Sequence, residues 1–183
     1  MASDITRRLI LLRHAKSDWP DVPDPERPLA KRGQRDAPRI GRWLHDHGYL
    51  PDVVICSAAR RTRETWELVA PELDASPSVR FEPRAYAASA LSLRFLIREL
   101  PSRYRAALLI AHNPGLSELA ASLAAAPAGD DPAGDDPAGV GSSPAGMRFP
   151  TAAVAVFEFA ADWAGLWPGQ ARMIDFTTPA GLS

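Results

Sequence analysis

The chain has 183 residues, 46% of them hydrophobic and 23% charged, with a formal net charge of -1. That length suits one domain with a real core, and the near-neutral balance gives no electrostatic argument for nucleic acid or an anionic membrane surface as partner. No apolar run approaches the ~20 residues of a spanning helix.

The first residues, "MASDITRR", lead through a very short apolar run straight into Arg13, without the longer apolar stretch and small-residue cleavage site of a signal peptide. Cys56 is the single cysteine, so no internal disulfide ties the fold to an oxidising compartment. A cytoplasmic location is the expectation. Among 21 basic residues only Lys16 and Lys31 are lysines. An arginine in so biased a chain gains meaning only from its position.

Leu9 to Leu12 form a continuous apolar run, the pattern of a strand covered on both faces. "KRGQRDAPRIGRWLHDHG" reads as a helix with Ala37, Ile40 and Leu44 on one face and Gly48 as its stop. Pro38 is tolerated only near a first turn, which puts the expected start close to Asp36. "DVVICS" is a second buried strand, followed by a helix from Arg61 to Ala70 that Pro71 closes, and "VRFEP" is a short strand. Ser89 caps a helix with Leu93, Leu96 and Leu100 at helical spacing. "AALLIAH" is a further buried strand, and a helix runs from Leu116 to about Ala126.

Residues 127–146, "PAGDDPAGDDPAGVGSSPAG", are low in complexity and predict a mobile loop. They lack the spaced acidic pattern and closing glutamate of a calcium loop. "TAAVAVFEF" and "RMIDFTTP" follow as a hairpin-like strand pair at a sheet edge. Strands alternating with helices define an α/β domain around a mostly parallel sheet flanked by helices.

In such a sheet, ligands bind outside the carboxyl ends of the strands. Three strands place polar residues there: Arg13 and His14, then Ser57 through Arg61, then His112 and Asn113. Two histidines and two arginines on one pocket suit a phosphoryl group. Arginine's planar fork grips phosphate oxygens in pairs, and neutral imidazole is a nucleophile toward phosphorus. His45 and His47 sit near a helix end and receive no role. Two histidines and a strand cysteine do not make a zinc motif.

Four segments carry a family resemblance. "LLRHAKSDW" resembles an Arg-His-Gly signature with Ala15 in the glycine place, and "RPLAKRGQRDA" resembles a Leu-Thr-x-x-Gly segment at Leu29 to Gly33. "CSAARRTRETWELV" is similar to a Ser-x-x-x-Arg-x-x-[Gln/Glu]-Thr pattern at Ser57, Arg61, Glu64 and Thr65, and "LLIAHNPGLSELA" to a second histidine motif at His112. "FPTAAVAVFEF" resembles a later strand. In this order they resemble the histidine phosphatase, or phosphoglycerate mutase-like, superfamily, and within it the small phosphohistidine phosphatase (SixA-type) branch.

The resemblance implies a three-layer sandwich and a metal-independent phosphatase without cofactor. His14 would take the phosphoryl group as a phosphohistidine, while Arg13, Arg61 and His112 surround its oxygens. The implied substrate is phosphohistidine on a phosphorylated protein. A small phosphate monoester is the alternative, and a non-catalytic phospho-ligand module a more distant one. Pro20 stands where many members of the wider superfamily have an asparagine, which removes one phosphate contact. Asn113 stands where some relatives have a proton-donating aspartate, so the proton donor is left open, with Glu82 in "FEPRAY" as the candidate acid. Nothing in the sequence sets the oligomeric state.

Overall fold

The apolar run read at Leu9 to Leu12 is the middle of the first strand, β1 (Arg7–Arg13). The computed structural model describes residues 5–124 and 148–182, so the Pro-Gly-Asp stretch at 127–146 lies outside the described residues. After β1 come α1 (Lys31–Asp46), β2 (Val53–Ser57), α2 (Arg60–Val69), β3 (Ser78–Glu82) and α3 (Ala90–Arg98). Then follow β4 (Ala106–Ala111), α4 (Gly115–Ala124), β5 (Val154–Phe159) and β6 (Arg172–Thr177).

The strands form one sheet in the order β3-β2-β4-β1-β5-β6. β3, β2, β4 and β1 are mutually parallel, while β5 runs antiparallel to both β1 and β6.

Strand residues point alternately to opposite faces, and here both faces are covered. Ile10, Leu12, Val54, Cys56, Leu108 and Ile110 face Ile40 and Leu44 of α1 and Trp66 and Val69 of α2. Leu9, Leu11, Val53, Ile55 and Leu109 face Leu93, Leu96 and Ile97 of α3 and Leu116, Leu119 and Leu123 of α4. This makes three layers, and explains why the central strands read as unbroken apolar runs rather than alternating ones.

Two expectations change. α1 starts at Lys31, with Pro38 inside it. Its first turn packs tightly on the loop after β1: the Ala30 amide donates to the Lys16 carbonyl at 2.8 Å, and a Cβ on Gly33 would lie 2.2 Å from that oxygen. Pro38 has no N–H to offer the Gln34 carbonyl four residues before it, and Gln34 is exposed. The late strand pair does occupy one end of the sheet, but only β6 is the edge. β5 is almost wholly buried between β6 and β1.

Candidate active site

Parallel register brings the strand ends to one line. Arg13 pairs with Ala111, Cys56 with Ile110, and Ser57 with Glu82. The residues just past β1 and β4 are therefore neighbours, and the His14 amide donates to the Ala111 carbonyl at 3.2 Å. The His14 and His112 rings lie 5.2 Å apart between centroids. Arg61, second residue of α2, is carried to the same edge and is 6% exposed.

The turn after β1 is stapled to α2 by the motif residues Glu64 and Thr65. Thr65 Oγ1 accepts from the buried Ala15 amide at 3.0 Å and donates to the Arg61 carbonyl at 2.6 Å. Glu64 accepts from the Leu29 amide at 2.7 Å. These two side chains hold the loops that carry the site.

His14 is buried, and its Nδ1 lies 2.8 Å from the Ala15 carbonyl oxygen. A carbonyl only accepts, so Nδ1 carries the proton and Nε2 keeps its lone pair. Burial is the main force pulling the His14 pKa down to about 3; the neighbouring His112, Arg61 and Arg13 charges add to it, against the Ala15 bond. The ring is thus neutral and nucleophilic at physiological pH.

His112 is held down to about 4, again by burial first and then by Arg61. Its Nε2 is 2.7 Å from Ser57 Oγ, and its buried Nδ1 has no partner among the described residues. Burial also lowers the Arg13 pKa. Arg13 donates to the Phe149 carbonyl at 3.0 Å, and the Asn113 side-chain amide donates to the same oxygen at 2.9 Å.

Arg13, His14, Arg61 and His112 are brought together; Glu82 is not presented to them as an acid. Its carboxylate accepts from the Arg84 amide at 3.0 Å and from the Arg84 guanidinium at 3.0 and 2.9 Å. Arg84 holds its pKa below the usual carboxylate range, the reverse of what a proton donor at neutral pH requires. From the same "FEPRAY" segment it is Tyr86 that reaches the site, its ring edge-on to His112 at 5.6 Å.

Asp24 is the other arrival that sequence reasoning missed. Arg61 Nη1 and Nη2 donate to its carbonyl and to Oδ2, at 2.8 and 3.1 Å. The Tyr86 hydroxyl donates to Oδ2 at 2.5 Å. Asp24 opens one short 3-10 turn and Tyr86 follows the end of another, without periodicity, so no pattern marked them. His45 and His47 are exposed at the other end of α1, where the His47 ring packs on Trp43 and Tyr49. Among the described residues no cluster of His, Cys, Asp and Glu is arranged to hold a metal ion, and no helix is long and apolar enough to cross a membrane.

Known proteins share this arrangement of elements. Residues 9–85 match the model of the histidine phosphatase superfamily (branch 1). The uncharacterized protein Rv1276c of Mycobacterium tuberculosis is 34% identical over 169 residues, 92% of this chain and 99% of its own length. The chain belongs to the histidine phosphatase superfamily. A solved structure named "putative phosphohistidine phosphatase SixA", from Nakamurella multipartitia, superposes with a TM-score of 0.79 at 27% identity, covering 95% of this chain and 96% of that one. The protein histidine phosphatase SixA complexed with tungstate shares the fold, with a TM-score of 0.74 at 20% identity over 96% of this chain and 99% of that one. This histidine phosphatase therefore has the three-layer, phosphoglycerate mutase-like architecture, stands with the SixA-type branch, and is a phosphatase.

Proposed function

We propose that this phosphatase removes phosphate from phosphohistidine on a protein, through a phosphohistidine of its own at His14. The observation that carries the reading is the His14 ring itself: neutral, with the proton pinned on Nδ1 by Ala15 and Nε2 free. Nε2 attacks phosphorus, a new N–P bond forms, and the bond to the leaving group breaks with its electron pair. Arg13 and Arg61 offer guanidinium donors to the equatorial oxygens, and His112 offers its Nδ1–H. Water then attacks the phosphorus, and phosphate departs as His14 is restored.

The choice of phosphohistidine follows from proton supply. An alkoxide leaving group needs a proton, whereas an imidazole protonated on its distal nitrogen departs as a neutral molecule. Among the described residues, the carboxylates of Glu82 and Asp24 at this edge are committed as anions: Glu82 to Arg84, and Asp24 to Tyr86, Arg27 and Arg61. Position 113, beside His112, is an asparagine. The whole-chain likeness to the Nakamurella protein, named for phosphohistidine, agrees with this reading.

The test is competition between a phosphohistidine protein and a panel of small phosphate monoesters, compared by kcat/KM. A preference for the phosphoramidate by two orders of magnitude or more is expected. Equal or better turnover of a small ester would replace the reading with a monoester phosphatase.

A further inference from the structure

Among the described residues, an anion stands at the rim of the pocket. Asp24 occupies both terminal nitrogens of Arg61 and receives the Tyr86 hydroxyl on Oδ2, with Arg27 Nη1 on Oδ1 at 3.0 Å. Arg61 keeps Nε–H and one N–H on each terminal nitrogen for a phosphoryl group, since the guanidinium has five donors. The Arg61 side chain is 8% exposed and that of Asp24 47%. The carboxylate thus stands outward of the guanidinium, at the rim. Tyr86, whose hydroxyl donates to Asp24 Oδ2, lies with its ring edge-on to His112 at 5.6 Å, which sets the carboxylate on the His112 side of the pocket.

In an in-line displacement the leaving group lies across the phosphorus from the nucleophile. With His14 deep and Asp24 at the rim, the leaving group departs past this carboxylate. Tyr86, Arg27 and Arg61 together keep it ionised, well below the usual carboxylate range, the Tyr86 bond being the largest effect.

We propose that Asp24 is a specificity-determining residue that reads the charge of the leaving group, favouring one that bears a proton and rejecting one that bears a further anion. This rests on the phosphatase reading above and sharpens it. In the favoured case the P–N bond breaks, its electron pair stays on the leaving nitrogen, and the proton already on the distal ring nitrogen makes the product neutral imidazole. The Asp24 carboxylate stabilises that N–H through the transition state. A carboxylate or second phosphate on the leaving group instead meets a like charge, and like charges at such range in a partly screened site oppose each other by an order of magnitude or more in affinity.

The test compares wild type, D24N and Y86F on phosphoimidazole, phenyl phosphate and 4-carboxyphenyl phosphate. In wild type, kcat/KM for phenyl phosphate should exceed that for its carboxylated analogue by about tenfold, and D24N should bring the two within about twofold. D24N should also lower the phosphoimidazole-to-phenyl ratio about tenfold, while Y86F, which keeps the charge, preserves both wild-type ratios. Raising the salt should compress the wild-type discrimination and leave that of D24N unchanged. Equal loss on all three substrates in D24N would overturn the proposal and leave Asp24 as a mere support for Arg61, and so would collapse of both ratios in Y86F. If wild type fails on phosphoimidazole yet discriminates against the carboxylated ester in a D24N-sensitive way, the phosphohistidine reading falls and the charge-reading role stands.

Discussion

Ser57 Oγ lies 2.7 Å from His112 Nε2, which leaves Nδ1 as the ring nitrogen without a partner among the described residues. If Nε2 carried the only proton, a bare Nδ1 lone pair would face the phosphoryl oxygens. With the serine hydroxyl donating to Nε2, Nδ1–H is left for the oxyanion. On the proposed function, an incoming phosphoryl group would select the second arrangement. S57A removes the partner of a buried ring nitrogen, so a loss of about 1–3 kcal/mol in stability is expected. A fall of tenfold or more in kcat/KM should accompany it. Unchanged kinetics in a folded S57A would show that the tautomer of His112 does not matter.

Arg61 is bound by shape as much as by charge. Two of its donors hold Asp24, and the rest must reach the substrate from the same rigid plane. Lysine cannot do both from one ammonium. R61K should therefore lower kcat/KM by about 100-fold or more. Near-wild-type turnover by R61K would mean that only the positive charge is used.

The acid side of stability should bear the mark of the two histidines. His14 and His112 titrate near 6.5 in the unfolded chain and at about 3 and about 4 when folded. Between these values the unfolded state binds more protons, so stability rises with pH across the window and is lost as pH falls from about 6.5 towards 4. Chemical denaturation of wild type and H14A at pH 7.5 and pH 4.5 checks the sign. The wild type should lose more stability than H14A over that interval. An equal loss would place the titration elsewhere.

Thr65 links the loop after β1 to α2 through the Ala15 amide, which is buried. T65V keeps the volume and removes the acceptor, for an expected cost of about 1–3 kcal/mol. Because the loop carries His14, kcat should fall more than KM rises. T65S should recover most of both. Failure of the serine to rescue would mean that packing of the threonine methyl, rather than this bond, holds the loop.

The four polar residues at the strand ends were legible because each follows or adjoins an apolar run that physics buries. A strand covered on both faces must surface at a sheet edge, and what it meets there is conspicuous. The partners of those residues were harder to see. Asp24 lies 37 positions from Arg61, in a proline-flanked loop, and only tertiary folding joins them. Register did take Glu82 to the end of β3, but two residues later Arg84 wraps its carboxylate, a local bond no spacing announces. The start of α1 was obscured by Pro38. The helix nonetheless begins at Lys31, where the Ala30 amide donates to the Lys16 carbonyl and Gly33 lies too close to it for a Cβ, and such contacts leave no trace in helix periodicity.

The phosphoryl-accepting role of His14 is the central claim, and rapid quenching with a phosphate-labelled substrate tests it directly. Labelled phosphate should appear on the protein within the first turnover, labile to acid and stable to alkali. Peptide mapping should place it on His14, and H14A should neither trap label nor turn over. Label on another residue, or sustained turnover by H14A, would contradict the account.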